Sequence, residues 1–463
     1  MATAPKILII GGGISGLACA WRLQQAGLPV LLLERGLHFG GVIDTAEQDG
    51  FLFDIGPQSF TNTKALSSLI EELGLGGELL RADPRAPRYI LKGGRLVPAP
   101  LAPPQLLFTP LLGVRTKLRI LCEPFGRSRP PDTDESVAAF ARRKFGQDLL
   151  DNLVAPFVSG VWAGDPEKLS LASAFPGVRH LEEGFGSIIR GALKQRRESA
   201  GARAQLCNFR GGLPGMVAAL AARLGGSART GAEITAIRRA AADSAMFEVT
   251  CSVDGAAQTT TVGALIIAAP ADQAGRLLSG LDPGFPASLA RIEYAGVAQV
   301  SAGYRLDQIK FKNAESGSGL RGFGFLVPRS EGLRLLGTVW NSSLFPGRAP
   351  GGMASFTSFL GGMTDPEIVS YSPERIAAIA HSELSSALGI SGAPVSQHVS
   401  RWDRALPQYN IGHARIVTAL RELCAKTPGI FLAGNYLAGP ALGACVEHAN
   451  EVADLAARSI TGG

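Results

Sequence analysis

The chain has 463 residues, 46% hydrophobic and 18% charged, with a net charge of +6. That composition excludes a disordered polymer and gives enough length for two or three domains around a large core. Six cysteines lie scattered with no Cys-x-x-Cys pair, which excludes a disulfide framework or zinc site and fits a reducing, cytoplasmic setting.

The first element is an apolar strand, Ile7-Leu8-Ile9-Ile10, running into Gly11-Gly12-Gly13-Ile14-Ser15-Gly16 and then a helix that stops near Gly27. A second apolar strand, 30–33, ends in Glu34. This is a β-α-β unit with Gly-x-Gly-x-x-Gly in the context a dinucleotide site requires. Gly11 serves the tight turn, Gly13 the close approach of a pyrophosphate, and Gly16 the contact of helix with strand. The helix N-terminus offers unpaired N–H groups to phosphate, and Glu34 offers a carboxylate to the ribose hydroxyls. The unit alone leaves FAD and NAD equally open.

Gly40-Gly41 follow, then a strand at 51–55 leading to Gly56-Pro57, a helix at 64–73, and a hairpin of 88–91 with 95–97 around Gly93-Gly94. Composition changes at Pro98. Five prolines between 98 and 110 interrupt an apolar stretch, and Arg115, Lys117 and Arg119 come directly after it. From Arg81 to Pro130 ten Lys/Arg face two acidic residues. Apolar and basic residues so interleaved fit either an anionic membrane interface or a segment packed on its own domain. No nucleic-acid module is evident, no run reaches the length of a membrane span, and the first apolar run is too short for a secretory signal. Helical patterns then cover 136–144 and 148–158, and a basic run covers 190–203.

Gly211-Gly212-Leu213-Pro214 opens an Ala/Leu-rich helix ending at Gly225-Gly226, followed by strands at 233–237, 247–253 and 264–269. Strands and helices alternate from 286 to 428, with strands at 297–304, 335–340 and 355–360. The chain closes with a strand at 430–433, a glycine loop at 434–443, and a helix at 444–459.

These segments resemble the flavin amine oxidase superfamily and, within it, the oxygen-dependent protoporphyrinogen oxidases. The residues carrying the resemblance are the glycine turn with Glu34, Gly40-Gly41, the run from Gly56 to Phe60, and Pro156-Phe157-Val158-Ser159-Gly160 with Ala163-Gly164-Asp165-Pro166. Further matches are Phe185-Gly186-Ser187, Gly322 to Pro328, Leu336-Gly337-Thr338, Phe345-Pro346, Pro407-Gln408-Tyr409 with Gly412-His413, and Ala433-Gly434-Asn435.

The resemblance implies an α/β and α+β architecture: a discontinuous doubly wound FAD-binding domain (1–84, 207–283 and 427–463), a mixed-sheet substrate domain (85–97 and 284–426), and a mainly helical membrane-associating domain (98–206). It implies non-covalent FAD held by Gly11, Gly12, Gly13, Ile14, Ser15, Gly16, Glu34, Arg35, Gly41 and Val42. Gly56, Pro57, Gln58 and Ser59 would line the isoalloxazine, Ile234 the adenine side, and Pro440, Ala441 and Leu442 the pyrimidine end. His38-Phe39 stand where relatives place an arginine before the second glycine pair, and Gln58 where some carry Asn or Asp.

Arg88 falls where many of these oxidases place the arginine that binds a substrate propionate. Leu326 and Phe345 fall where side chains flank or sandwich the tetrapyrrole, and Gly160 where a glycine leaves the macrocycle room. The implied activity is oxidation of protoporphyrinogen IX by oxygen with release of hydrogen peroxide. Coproporphyrinogen III oxidation is the near alternative, and a non-catalytic Rab-escort-like binding module is the alternative of another class. No catalytic base stands out, since none of the six histidines lies in a triad or a metal spacing. The resemblance further implies peripheral membrane attachment, a homodimer and hand-over of product to a ferrochelatase.

Overall fold

The computed structural model describes residues 7–126, 133–198, 205–241, 243, 245–253, 255–311 and 320–461. Arg127 and Arg129 of the basic stretch and the end of the 190–203 run lie outside the described residues.

The four apolar residues Ile7–Ile10 form the middle strand of a parallel five-stranded sheet and are buried on both faces, as an unbroken apolar run demands. Across the sheet the order is Ala228–Arg229, Val30–Leu33, Ile7–Ile10, Ala264–Ile267, Ile430–Leu432. Three of these strands come from chain segments more than 150 residues apart, so the sheet is built from separated pieces. The strand order reverses between Ile7–Ile10 and Ala264–Ile267, and the carboxyl ends of the strands at such a reversal are where parallel sheets of this kind take their ligands. On one face the helices Ile14–Gln25, Pro214–Leu224 and Leu442–Thr461 share a core. The other face is covered by the antiparallel meander of Ala232–Arg239, Phe247–Val253 and Ala256–Val262 and by the helices Ala271–Leu278 and His413–Lys426.

A second, seven-stranded sheet runs Ser396–Pro407, Tyr294–Arg305, Met353–Gly361, Leu335–Val339, Gly324–Leu326, Arg88–Lys92, Arg95–Pro98. All its pairs are antiparallel except Arg88–Lys92 with Gly324–Leu326. The hairpin that follows Arg88 is therefore an edge of this sheet. Helix Pro373–Leu388 buries Ile376, Ala380, Leu384 and Leu388 against it.

Short helices occupy most of residues 103–125 and 137–198. The proline-rich stretch is not broken throughout, as the sequence suggests: Pro103 and Pro104 occupy the first positions of the helix Pro103–Phe108, where a missing N–H costs nothing. The pattern over 148–158 becomes a π-helical turn, Leu150–Val154, continuing into Ala155–Trp162. Pro156 sits at the start of the second piece, where the hydrogen-bond ladder is already displaced. No helix among the described residues is long and apolar enough to cross a membrane.

Candidate functional site

Gly11 has φ +111°, and a Cβ there would lie 2.6 Å from the Ala268 carbonyl oxygen. A Cβ at Gly16 would lie 1.9 Å from the Gly11 carbonyl oxygen, whereas one at Gly13 would meet nothing within 4 Å. Two of the glycines are thus required by close backbone contact, and the third leaves a face of the turn open. The helix Ile14–Gln25 has no side-chain cap and no acidic residue in its first turn. Its N–H groups and positive dipole end remain available to an anion, so the residues fit a pyrophosphate.

Glu34 lies at the end of its strand beside this turn. Its carboxylate accepts from the Gly12 N–H and from the Gly36 N–H, each at 2.6 Å. Ala232 donates to the Glu34 carbonyl and Gly231 to the Gly36 carbonyl, so the strand carrying Ile234 starts next to the acidic residue. Arg35 is exposed. Gly40 donates to the Gly12 carbonyl at 2.9 Å, which lays the second glycine pair on the first. Phe39, in the position lacking the relatives' arginine, packs over Gly12.

Val42 connects this cradle to the segment assigned to the isoalloxazine. Gly56 has φ +77°, and a Cβ there would lie 2.2 Å from the Val42 carbonyl oxygen. The segment is held from beneath by side chains of distant parts of the chain. Gly56 N–H donates to Gln299 Oε1 at 3.0 Å, and Gln299 Nε2 donates to the Asp54 carbonyl at 2.7 Å. Gln58 donates to the Asp54 carbonyl at 2.8 Å and accepts from Asn341 Nδ2 at 2.7 Å. Asn208 donates to Asp54 Oδ2 at 3.0 Å and to the Gln58 carbonyl at 2.9 Å.

At the centre is an ion pair, Arg348 Nε to Asp54 Oδ2 at 2.8 Å, with both side chains within 1% of full burial. Arg348 also donates to the carbonyls of Arg210 at 3.1 Å and Phe209 at 3.0 Å. Burial pushes the Asp54 carboxyl above its ordinary value, while the Arg348 guanidinium and the Asn208 amide pull it back.

None of Asp54, Asn208, Gln299, Asn341 and Arg348 stands out in the sequence. The one local signal is an acidic residue in the otherwise apolar strand Phe51–Ile55, where a charge needs a buried partner.

The third component is the loop before the C-terminal helix. Pro440 is half-buried, Ala441 exposed and Leu442 buried at the first position of Leu442–Thr461, whose first turn carries no acid. Ser15 of the glycine turn lies beside the Cys445 thiol, so this helix start adjoins the cradle.

Of the residues expected at the substrate, Gly160 and Leu326 come together. A Cβ at Gly160 would lie 2.3 Å from Leu326 Cδ2. The missing side chain lets the end of Leu326 lie against the helix at Gly160. Phe345 is enclosed, with Ala82, Ala86 and Leu344 around it and the Arg348 guanidinium 5.9 Å from its ring centroid. Phe323 packs against the same cluster from outside.

Arg88 heads its strand and lies over the Phe323 ring at 5.1 Å. Among the described residues no carboxylate pairs with it, and partial desolvation lowers its pKa. A cation seated on an aromatic face without an acidic partner is suited to bind a carboxylate bidentately. No cluster of His, Cys, Asp and Glu among the described residues could hold a metal ion.

Residues 14–461 match the family described as flavin containing amine oxidoreductase. The chain is 34% identical to protoporphyrinogen oxidase 1 of Arabidopsis thaliana chloroplasts, over 96% of this chain and 87% of that one. It is 28% identical to coproporphyrinogen III oxidase of Bacillus subtilis, over 95% of each. A solved protein of Exiguobacterium sp. 255-15, provisionally named a protoporphyrinogen oxidase, superposes with a TM-score of 0.82 at 25% identity, covering 98% of this chain and 99% of that one.

Proposed function

The chain belongs to the flavin-containing amine oxidoreductases, and from that premise we propose that it oxidises protoporphyrinogen IX to protoporphyrin IX with FAD and oxygen, releasing hydrogen peroxide. The supporting observation is Arg88, an acid-free cation on Phe323 at the edge of the same sheet whose Leu326 meets Gly160. The near full-length likeness to a plant protoporphyrinogen oxidase supports the substrate class.

When bound, the flavin supplies a two-electron acceptor that oxygen can restore. The protein's own work is binding and orientation. The glycine turn and Glu34 hold the dinucleotide. The Arg348–Asp54 seam fixes residues 56–59 from below. Arg88 takes a propionate carboxylate and so turns one edge of the macrocycle toward the site, while Leu326 and the helix Ala155–Trp162 form an apolar wall. Porphyrinogen held there would give two electrons to FAD in each round, so that three rounds would account for six, with the released protons passing to solvent. No side chain is assigned as proton acceptor.

Coproporphyrinogen III is the competing substrate, since a relative of that name covers nearly all of this chain. The higher identity to the plant protoporphyrinogen oxidase, 34% against 28%, favours protoporphyrinogen. Peroxide release measured side by side on both porphyrinogens separates the two readings. We expect the higher kcat/KM on protoporphyrinogen, and the reverse order would assign the chain to the other reaction. A non-catalytic binding module is disfavoured by a cradle and an oxidoreductase match that agree.

The reading includes an anionic membrane surface. Helix Val114–Cys122 buries Thr116 and Ile120 and exposes Val114, Leu118 and Leu121 on its outer face, with Phe108 (85% exposed) and Phe125 (88%) on either side. Arg115 and Arg119 flank that row. Bare apolar side chains rimmed by cations suit the interface of an acidic bilayer, where product could pass to a ferrochelatase. Pelleting with phosphatidylserine vesicles at low but not high salt is the expected result, and no pelleting at either salt contradicts it.

A further inference from the structure

Three rings pack together where the helical region, the strand ending at Pro407 and the C-terminal loop meet. The Trp162 and Tyr409 centroids are 5.1 Å apart with the rings tilted at 56°, and Tyr409 stacks on His413 with centroids 3.9 Å apart at an interplanar angle of 14°. All three side chains are buried. The Tyr409 hydroxyl donates to the Asn435 carbonyl and accepts from the Gly439 N–H, both at 2.6 Å. One oxygen thus closes the turn Asn435–Ala438 and pins Gly439, φ +112°, immediately before Pro440, Ala441 and Leu442. At the other end of the stack, Trp162 is the last residue of the helix that carries Gly160. Its carbonyl accepts from Gln408 Nε2 at 2.9 Å, which ties that helix to the residue before Tyr409.

Among the described residues no group makes a hydrogen bond of good geometry with either ring nitrogen of His413, although the Tyr436 backbone lies nearby. Burial lowers its pKa to about 4, against weaker opposing pulls from the Tyr436 backbone and Asp134. The ring is therefore neutral at ordinary pH, and its part in the stack is its face.

Resting on the flavin reading above, we propose that Tyr409 is a positioning residue for the cofactor: its hydroxyl sets the 439–442 loop and the start of helix Leu442–Thr461, and the Trp162–Tyr409–His413 stack ties that loop to the wall bearing Gly160. The helix start is acid-free, so its dipole favours the negative charge that the ring gains on reduction. Removing the hydroxyl takes away the partner of the half-buried Gly439 N–H and Asn435 carbonyl, and the loop relaxes away from its set position.

The test is Tyr409→Phe in FAD-loaded protein, with no porphyrinogen present. The ratio of reduced to oxidised flavin is read against a redox dye, alongside the thermal midpoint. The expected result is a ratio lower by about tenfold, the size of one lost buried hydrogen bond, with a midpoint close to wild type. His413→Ala should shift the ratio in the same direction and His413→Phe, which restores a ring, should recover most of it. An unchanged ratio in Tyr409→Phe overturns the proposal. If that variant does not fold, an unchanged ratio in His413→Ala overturns it instead. Wild-type protein that takes up no FAD would count against the family reading, and wild-type flavin that porphyrinogen cannot reduce would count against the substrate; neither is confused with the dye result.

Discussion

Arg348 and Arg88 carry the same side chain into opposite surroundings. Arg348 is fully buried and spends its donors on Asp54 and the carbonyls of Phe209 and Arg210. Arg88 rests on an aromatic ring at the end of a strand, with no acid beside it. A satisfied cation inside a seam belongs to the architecture, and a cation left without its counter-charge is available to a ligand. Both lie around the same enclosed cluster: Arg348 over Phe345, Arg88 over Phe323. The cluster separates a charge already satisfied by the fold from one that the proposed function gives to a ligand.

The largest effect should come from breaking the buried pair. Arg348→Met leaves Asp54 charged and unpaired in the interior, at a cost of about 3–5 kcal/mol. Denaturant unfolding checks this, and the double variant Asp54→Asn with Arg348→Met should recover a substantial part. If Arg348→Met were as mild as an Arg88 change, the contrast between the two arginines would collapse.

His413 sharpens the comparison as an interior polar group without a hydrogen bond of good geometry among the described residues. Its folded pKa of about 4 lies below the unfolded value of about 6.5. Between those values the unfolded chain binds the extra proton, so stability rises as pH rises through the window and is lost on acidification, by about 3 kcal/mol at its lower end. His413→Phe should flatten that part of the stability-against-pH curve, measured by denaturant midpoints from pH 7 to pH 4.

Arg88→Ala should behave oppositely to the Arg348 change. A lost carboxylate contact predicts kcat/KM on the porphyrinogen lower by about 10- to 100-fold, with stability within about 0.5 kcal/mol of wild type. Equal turnover by Arg88→Ala would remove the cationic rim from the account. The smallest effect is expected at the wall. Gly160→Ala places a methyl against Leu326 and should cost about 1 kcal/mol of stability, with relief when Leu326→Ala is added.

What could be read from the sequence was what is contiguous. The glycine turn, its flanking strands and Glu34 lie within thirty residues, and each carries its own reason for its residue type. The strand Val30–Leu33 emerges with the same bounds that its apolar run suggests. The Asp54–Arg348 pair spans 294 positions, and neither residue announces the other. The two-residue strand Ala228–Arg229 completes the parallel sheet by pairing alone and has no pattern to detect. Prolines 103 and 104 read as breaks because a helix start and an interruption look alike until the following residues are seen to bond. That Gly160 faces Leu326 could not be read from the sequence, because the two lie on elements 166 positions apart.

The proposed function requires a flavin next to an apolar wall whose Arg88 rim takes a carboxylated tetrapyrrole. Anaerobic mixing of the FAD-loaded protein with protoporphyrinogen, followed by air, tests this most directly. The account predicts loss of the oxidised flavin colour at a ratio approaching three flavins per porphyrin formed, and its return with hydrogen peroxide when air enters. Flavin that stays oxidised with protoporphyrinogen, yet bleaches with dithionite, would contradict it.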